Sequence, residues 1–249
     1  MLLYLLFSLL GNDDSAQRGL EIALQAEKAN NGFIGEKSEM EMVLINAHGD
    51  QTVRKMTTEV METEQDGDKS TSTFLWPADV KGTKVLTWTH KEGDDDQWLY
   101  LPALKRVKRI SSSNKSGAFM GSEFAFEDLG SQEVEKYTYR FVEETEVSGR
   151  KTWLLERIPV SPKSGYSKEM VWMDQQYFNP LKIEYYDRKG ELLKVATFQD
   201  YTQYDQLWRV NKIEMLNVQT KKKSIITWSK RELKVPFEDH QFESQSLTE

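Results

Sequence analysis

Asp94-Asp95-Asp96-Gln97-Trp98-Leu99-Tyr100-Leu101-Pro102, continued by Ala103-Leu104-Lys105-Arg106-Val107-Lys108-Arg109-Ile110, is the stretch from which the fold can be read. An acidic turn enters a short aromatic strand, and Pro102 ends it because proline cannot donate to a sheet ladder. Side chains alternate along a strand, so Trp98 and Tyr100 share one face while Leu99 and Leu101 share the other. The following strand sets Arg106 and Lys108 against Val107, with Arg109 flanking Ile110. Both faces of the hairpin are occupied, which predicts a curved sheet with a lined concave side and a wet convex side.

Working outward, the same period of two recurs on both sides. Met40, Met42 and Leu44 alternate with Glu39, Glu41 and Val43, and further strands are predicted over 53–62, 71–76 and 83–90. On the C-terminal side, alternation predicts strands over 138–146, 151–158, 166–174, 181–187, 192–201, 207–218 and 224–233. Turn residues such as Asn46-Ala47-His48-Gly49-Asp50 and Arg188-Lys189-Gly190 separate them. Before the strands, residues 13–29 read as a helix. Asp13, Asp14 and Ser15 supply cap chemistry, and Leu20, Ile22, Ala23, Leu24 and Ala26 form an apolar stripe. Residues 111–130 break the alternation and read as a loop with short helices packed across the sheet. The tail after Pro236 is polar and expected to be extended. The fold class expected is mainly β (α+β): a half-closed antiparallel β-barrel or strongly curved sheet, with an N-terminal helix and short helices over the concave face. A sheet this long must curl or close, because twisted open sheets rarely exceed ~10 strands.

Composition narrows the function. The chain has 249 residues, a formal net charge of −7 and no cysteine. Disulfides, thiol catalysis and thiolate metal sites are therefore excluded, and a nucleic-acid partner is disfavoured. Residues 2–10 are apolar and uncharged but shorter than the ~20 residues a membrane span needs. Ending at Gly11, they read as a truncated or wrongly started signal peptide over 1–11, with a single domain over 12–249. His48, His90 and His240 are isolated in sequence, and no nucleophile elbow or phosphate loop appears. No catalytic residue, cofactor or metal site is expected. The acidic run could offer oxygen ligands to calcium, but it lacks the alternating ligand pattern of a calcium loop and reads as a solvated turn.

The blocks Trp76-Pro77-Ala78-Asp79-Val80-Lys81-Gly82-Thr83, Asp94 to Ile110, Ser113-Asn114-Lys115-Ser116-Gly117, Phe119-Met120-Gly121-Ser122, Glu127-Asp128-Leu129 and Tyr185-Tyr186-Asp187-Arg188-Lys189-Gly190 resemble the LolA-like family of outer-membrane lipoprotein-sorting proteins. The likeness spans about residues 16–247. It implies a half-closed barrel whose covered concave face holds acyl chains. It also implies a monomeric periplasmic protein of a Gram-negative bacterium that hands a lipid or lipoprotein from an inner-membrane transporter to an outer-membrane acceptor. The best-known carriers place a gating arginine near the corresponding proline. Here Trp76 precedes Pro77 and Lys81 follows, so no gating arginine is carried over.

A cavity for acyl chains needs adaptable apolar walls and a cover. Met40, Met42, Met56, Trp88, Trp98, Tyr100, Trp172 and Tyr185 are the candidate lining, although methionines and aromatics on strands also make ordinary core. Phe119, Met120, Phe124 and Phe126 are the candidate cover, with Gly117 and Gly121 as hinges. Lys105, Arg106, Lys108 and Arg109 are candidates for head-group or partner contact. Two alternatives remain: a non-carrying accessory protein that docks on an inner-membrane RND-type lipid exporter, and a hydrolase built on a perturbed carboxylate or histidine.

Overall fold

The computed structural model of the protein describes residues 4–248. Its first element is a helix, α1 (Tyr4–Asn30), which runs through Gly11 rather than ending there. A single glycine costs a helix about 1 kcal/mol, too little to stop it. Of the apolar run read as a signal, residues 1–3 lie outside the described residues, and the rest forms the start of α1. No described helix is long and apolar enough to cross a membrane.

The buried stripe of α1 is Gly19, Ile22, Ala23 and Ala26, at helical spacing. Leu20 and Leu24, expected in that stripe, are 43% and 47% exposed. Gly19 decides which face turns inward. A Cβ there would stand 2.8 Å from the Phe141 amide nitrogen, so its absence lets the helix lie directly on strand backbone.

Fifteen strands follow among the described residues. The first six are β1 (Gly35–Ile45), β2 (Gln51–Met61), β3 (Lys69–Trp76), β4 (Lys84–Trp88), β5 (Asp96–Leu101) and β6 (Arg106–Ile110). After a long crossing come β7 (Tyr137–Val147), β8 (Arg150–Pro159), β9 (Tyr166–Asp174), β10 (Pro180–Asp187) and β11 (Leu192–Gln199). The last four are β12 (Thr202–Tyr204), β13 (Leu207–Arg209), β14 (Lys212–Asn217) and β15 (Lys223–Leu233). The predicted strand over 207–218 is thus two pieces, β13 and β14, and β12 pairs with β13 as a separate small hairpin. Left-handed backbone at Asp200 and Asp205 turns the chain out of the main sheet there.

Thirteen of these strands form one antiparallel sheet in the order β6-β5-β4-β3-β2-β1-β15-β14-β11-β10-β9-β8-β7. It is curved but not closed, and β6 and β7 are its two rims. The rims are consecutive in sequence, so residues 111–136 must cross the concave face to join them. This crossing segment contains the short 3₁₀ turns Ser112–Asn114, Phe119–Gly121, Phe126–Asp128 and Val134–Lys136.

Alternation divides the apolar residues between the two faces. Val85 and Leu99 belong to the inner core with Phe74, Met42, Met56 and Phe119. Their neighbours Leu86, Trp98 and Tyr100 belong to an outer cluster with Trp88, Met61, Val107 and Phe237, closed by Phe242 and Leu247 of the C-terminal tail. The tail is not extended as expected. It forms two 3₁₀ turns, Asp239–Phe242 and Ser246–Thr248, and the Trp88 indole donates to the Phe242 carbonyl at 2.6 Å.

Candidate functional site

A cavity of about 850 Å³ lies between α1, the crossing segment and the C-terminal half of the inner face. That is large within the ~300–1,000 Å³ usual for small-molecule sites. Two rows of cross-strand neighbours build its sheet wall. Leu155, Val171, Ile183, Ala196 and Met215 face one another in register across β8, β9, β10, β11 and β14, and all five line the cavity. Phe198, Ile213 and Met173 extend this apolar surface, while Ala23 and Ala26 of α1 and Phe124 of the crossing segment face it.

The second row lies two residues along each strand. Tyr139, Arg157, Glu169, Tyr185 and Lys194 are direct neighbours across β7, β8, β9, β10 and β11. Arg157 is 8% exposed and Glu169 1%. Arg157 Nε donates to Glu169 at 2.6 Å and its Nη2 to Gln132 at 2.9 Å, while the guanidinium covers the Tyr137 ring at 4.4 Å. Lys194 Nζ donates to Asp128 at 2.7 Å and to the Glu123 carbonyl at 3.1 Å, and Tyr166 Oη donates to Asp128 at 2.9 Å. Two buried cations are thus each matched by one carboxylate, which is what buried charge requires.

Burial pushes the Tyr137, Tyr166 and Tyr185 phenols well up, and Tyr139 up to about 12. All four therefore remain protonated at physiological pH. Burial also pushes the Glu169 carboxyl up, with Arg157 opposing.

The cavity is polar at one end, where α1 finishes. Glu27, Asn30, Glu62, Asp68, Glu133 and Arg209 gather there. Burial, reinforced by Glu133 and Glu62, pushes the Asp68 carboxyl up to about 7. Glu27 is also raised, by burial first and then by Glu135 and Glu133. Carboxylate oxygens of Glu27, Glu133 and Glu135 lie within 4.8 Å of one another.

The sequence-predicted lining divides sharply. Tyr185 is on the cavity wall. Met42 and Met56, at 0% and 1% exposed, fill solid inner core with Phe74, and Met40 packs beside them. Trp88, Trp98 and Tyr100 stand on the opposite face beneath the tail. Trp172 has the opposite parity to Val171 and Met173, and the Lys182 ammonium sits over its ring at 4.2 Å. Alternation separates the faces but does not say which one is inside, and the tail that packs on the outer rings is distant in sequence.

Of the predicted cover, Phe124 reaches the cavity, while Phe119 packs on Phe74 and Phe126 at ring distances of 6.0 and 5.6 Å. Met120 packs against the inner core, and its carbonyl accepts from Arg54. Met120 and Gly121 take left-handed backbone, and the Gly117 N–H donates to the Asn114 carbonyl at 2.9 Å. The segment is fastened down. Glu123 N–H donates to Ser224 Oγ at 2.9 Å, Asn217 Nδ2 to Glu123 at 2.8 Å, Gln97 Nε2 to the Phe126 carbonyl at 3.0 Å, and Ser164 Oγ to Glu127 at 2.8 Å.

Lys105, Arg106, Lys108 and Arg109 are exposed at the β6 rim, outside the cavity. Arg109 pairs with Asp96 and lies over Trp98. The acidic turn is held by bases: Asp94 accepts from Lys163 at 2.6 Å, and Asp95 pairs with Lys136.

The polar row was missed in the sequence. Its signal was present: Arg157, Glu169 and Lys194 occupy the same strand phase as Leu155, Val171 and Ala196. An ionisable residue in the apolar phase of successive strands marks an inward polar group.

A family model described as "-like: Uncharacterized protein" matches residues 66–249. Curated proteins give no match. Among solved structures, an outer membrane lipoprotein-sorting protein domain from Vibrio parahaemolyticus is 46% identical, with a TM-score of 0.92 over 94% of this chain and 100% of that one. A DUF1329 family protein from Desulfovibrio piger is 30% identical, with a TM-score of 0.89 over 94% and 99% of the two chains. A LolA superfamily protein from Nitrosomonas europaea shares the fold at 18% identity, with a TM-score of 0.73 over 93% of this chain and 99% of that one.

Proposed function

Because the chain belongs to the LolA-like family of outer-membrane lipoprotein-sorting proteins, we propose that it is a periplasmic carrier. It shelters the acyl chains of a lipid or lipoprotein between an inner-membrane donor and an outer-membrane acceptor. The observation that carries this reading is the hollow of about 850 Å³ between sheet, helix and crossing segment, with its apolar wall of Leu155, Val171, Ile183, Ala196 and Met215. Each methylene withdrawn from water contributes ~0.8 kcal/mol, so a dozen give on the order of 10 kcal/mol gross without any strong polar contact. Such binding is firm enough for transit and needs no reacting group.

Exposed Leu75, Trp76 and Leu104 support a contact surface for donor or acceptor. They lie at the same end of β3 and β5, beside Lys105 and Arg106, where a greasy and basic patch suits an anionic lipid surface. The test is native mass spectrometry of protein purified from a periplasmic fraction, paired with titration of a fluorescent alkyl probe that carries no charged head group. Co-purified lipid and saturable binding are expected. A ligand-free protein that also fails to bind the probe sinks the carrier role.

A further inference from the structure

The cavity reading above leaves the ligand's polar end unassigned, and the inward polar row supplies a place for it. Arg157 uses Nε and Nη2 on Glu169 and Gln132. Its Nη1 has no acceptor among the described residues and is not sealed by neighbouring atoms. The hydroxyls of Tyr139 and Tyr185 likewise have no partner among the described residues and are not sealed by neighbouring atoms. All three residues line the cavity, and register places Tyr139 directly beside Arg157 and Tyr185 directly beside Glu169. The row is followed two residues along the strands by the apolar row of Leu155, Val171, Ile183 and Ala196. A chain lying on that apolar surface brings its first polar atoms to three free donors.

Charge decides which atoms fit. Arg157 already has Glu169, and Lys194 already has Asp128. No unpaired cation remains on the row, and Glu127 adds a further acid nearby. A free carboxylate would bring another negative charge into a desolvated site without a counter-ion, which is costly. A neutral carbonyl oxygen needs only hydrogen-bond donors. Resting on the carrier reading, we infer that Arg157 Nη1, Tyr139 Oη and Tyr185 Oη form an anchor for the carbonyl of an esterified or amide-linked acyl chain, and that the cavity discriminates against free fatty acids.

The experiment measures displacement of a fluorescent alkyl probe from the full chain at pH 8 by methyl palmitate, N-methylpalmitamide, palmitate and hexadecane. Wild type should bind the ester more tightly than palmitate. The Tyr139→Phe/Tyr185→Phe double variant keeps ring packing and loses two donors. It should bind methyl palmitate about 5- to 30-fold more weakly and hexadecane unchanged. A loss for the ester alone points to a glyceride-type linkage, and a matching loss for the amide extends the anchor to N-acyl groups. Undiminished ester binding in the variant, or tighter binding of palmitate than of ester by wild type, overturns the anchor while leaving the carrier intact. Failure of wild type to bind any of the four, hexadecane included, overturns the carrier reading itself. Each Tyr→Phe single variant, checked for an unchanged melting temperature, separates donor loss from misfolding.

Discussion

Asp68 is the residue whose ionisation the fold resists most plainly. Its carboxyl sits beside Glu62 and Glu133 at the polar end of the cavity and is raised from 3.8 to about 7. Between those values the native state holds a proton that the unfolded chain has released. Stability therefore falls as pH rises across that interval. Asp68→Asn keeps the oxygen that accepts the Thr63 N–H and removes the charge. Its melting temperature should exceed that of wild type at pH 8, and the gap should shrink toward pH 4; differential scanning calorimetry at several pH values reads this directly. Other single residues show what a sequence can and cannot say. That Trp98 and Leu99 point opposite ways follows from alternation alone. That Trp98 is half-buried on the outer face depends on Phe242 and Leu247, about 140 residues away in the chain. Likewise Arg157 and Glu169 look like solvent-facing charges until register brings them together.

At the level of elements, the strands were readable where both faces impose a pattern. The bounds of β9, Tyr166–Asp174, coincide with the alternating run. The run over 207–218 reads as one strand because its alternation continues across the break between β13 and β14, where Tyr204 and Asn211 side chains tie the small hairpin instead. The crossing segment is recognisable by its lack of period, but its fastening is not, since its partners are scattered over strands from β2 to β15 and the loops between them. One fastening is energetically testable. Lys194 and Asp128 have side chains 4% and 7% exposed and form a buried pair between β11 and the segment. Lys194→Met should destabilise the protein by about 3–5 kcal/mol in urea unfolding, because Asp128 is left charged and unmatched. Adding Asp128→Asn should recover much of the loss, and a double variant no more stable than Lys194→Met alone would show that the pair is not the cause.

The whole molecule was predictable as a covered, bent sheet, because so many sequential hairpins must curl. The order of its strands was not, since alternation carries no information on long-range neighbours. Two local meanders, β1 to β6 and β7 to β15, are joined into one sheet where β1 lies against β15, with Met42 opposite Ile226. Neither meander needs that seam to form its own hairpins. Joining the two closes nearly the entire polypeptide into a loop, the step whose entropy cost is met latest. In stopped-flow refolding, Ile226→Ala should accelerate unfolding and leave the folding rate nearly unchanged, whereas Val171→Ala, inside one meander, should slow folding. Equal partition of both effects would place the seam in the folding nucleus.

That arrangement bears on how the protein is made. Synthesis delivers β1 long before its partner β15, so in the interval one long strand offers a bare row of amides and carbonyls to any neighbouring chain. A polypeptide cut short before Lys223 should consequently be sticky rather than merely incomplete. Whatever attends the newborn protein has an edge to shield until the final hairpin arrives.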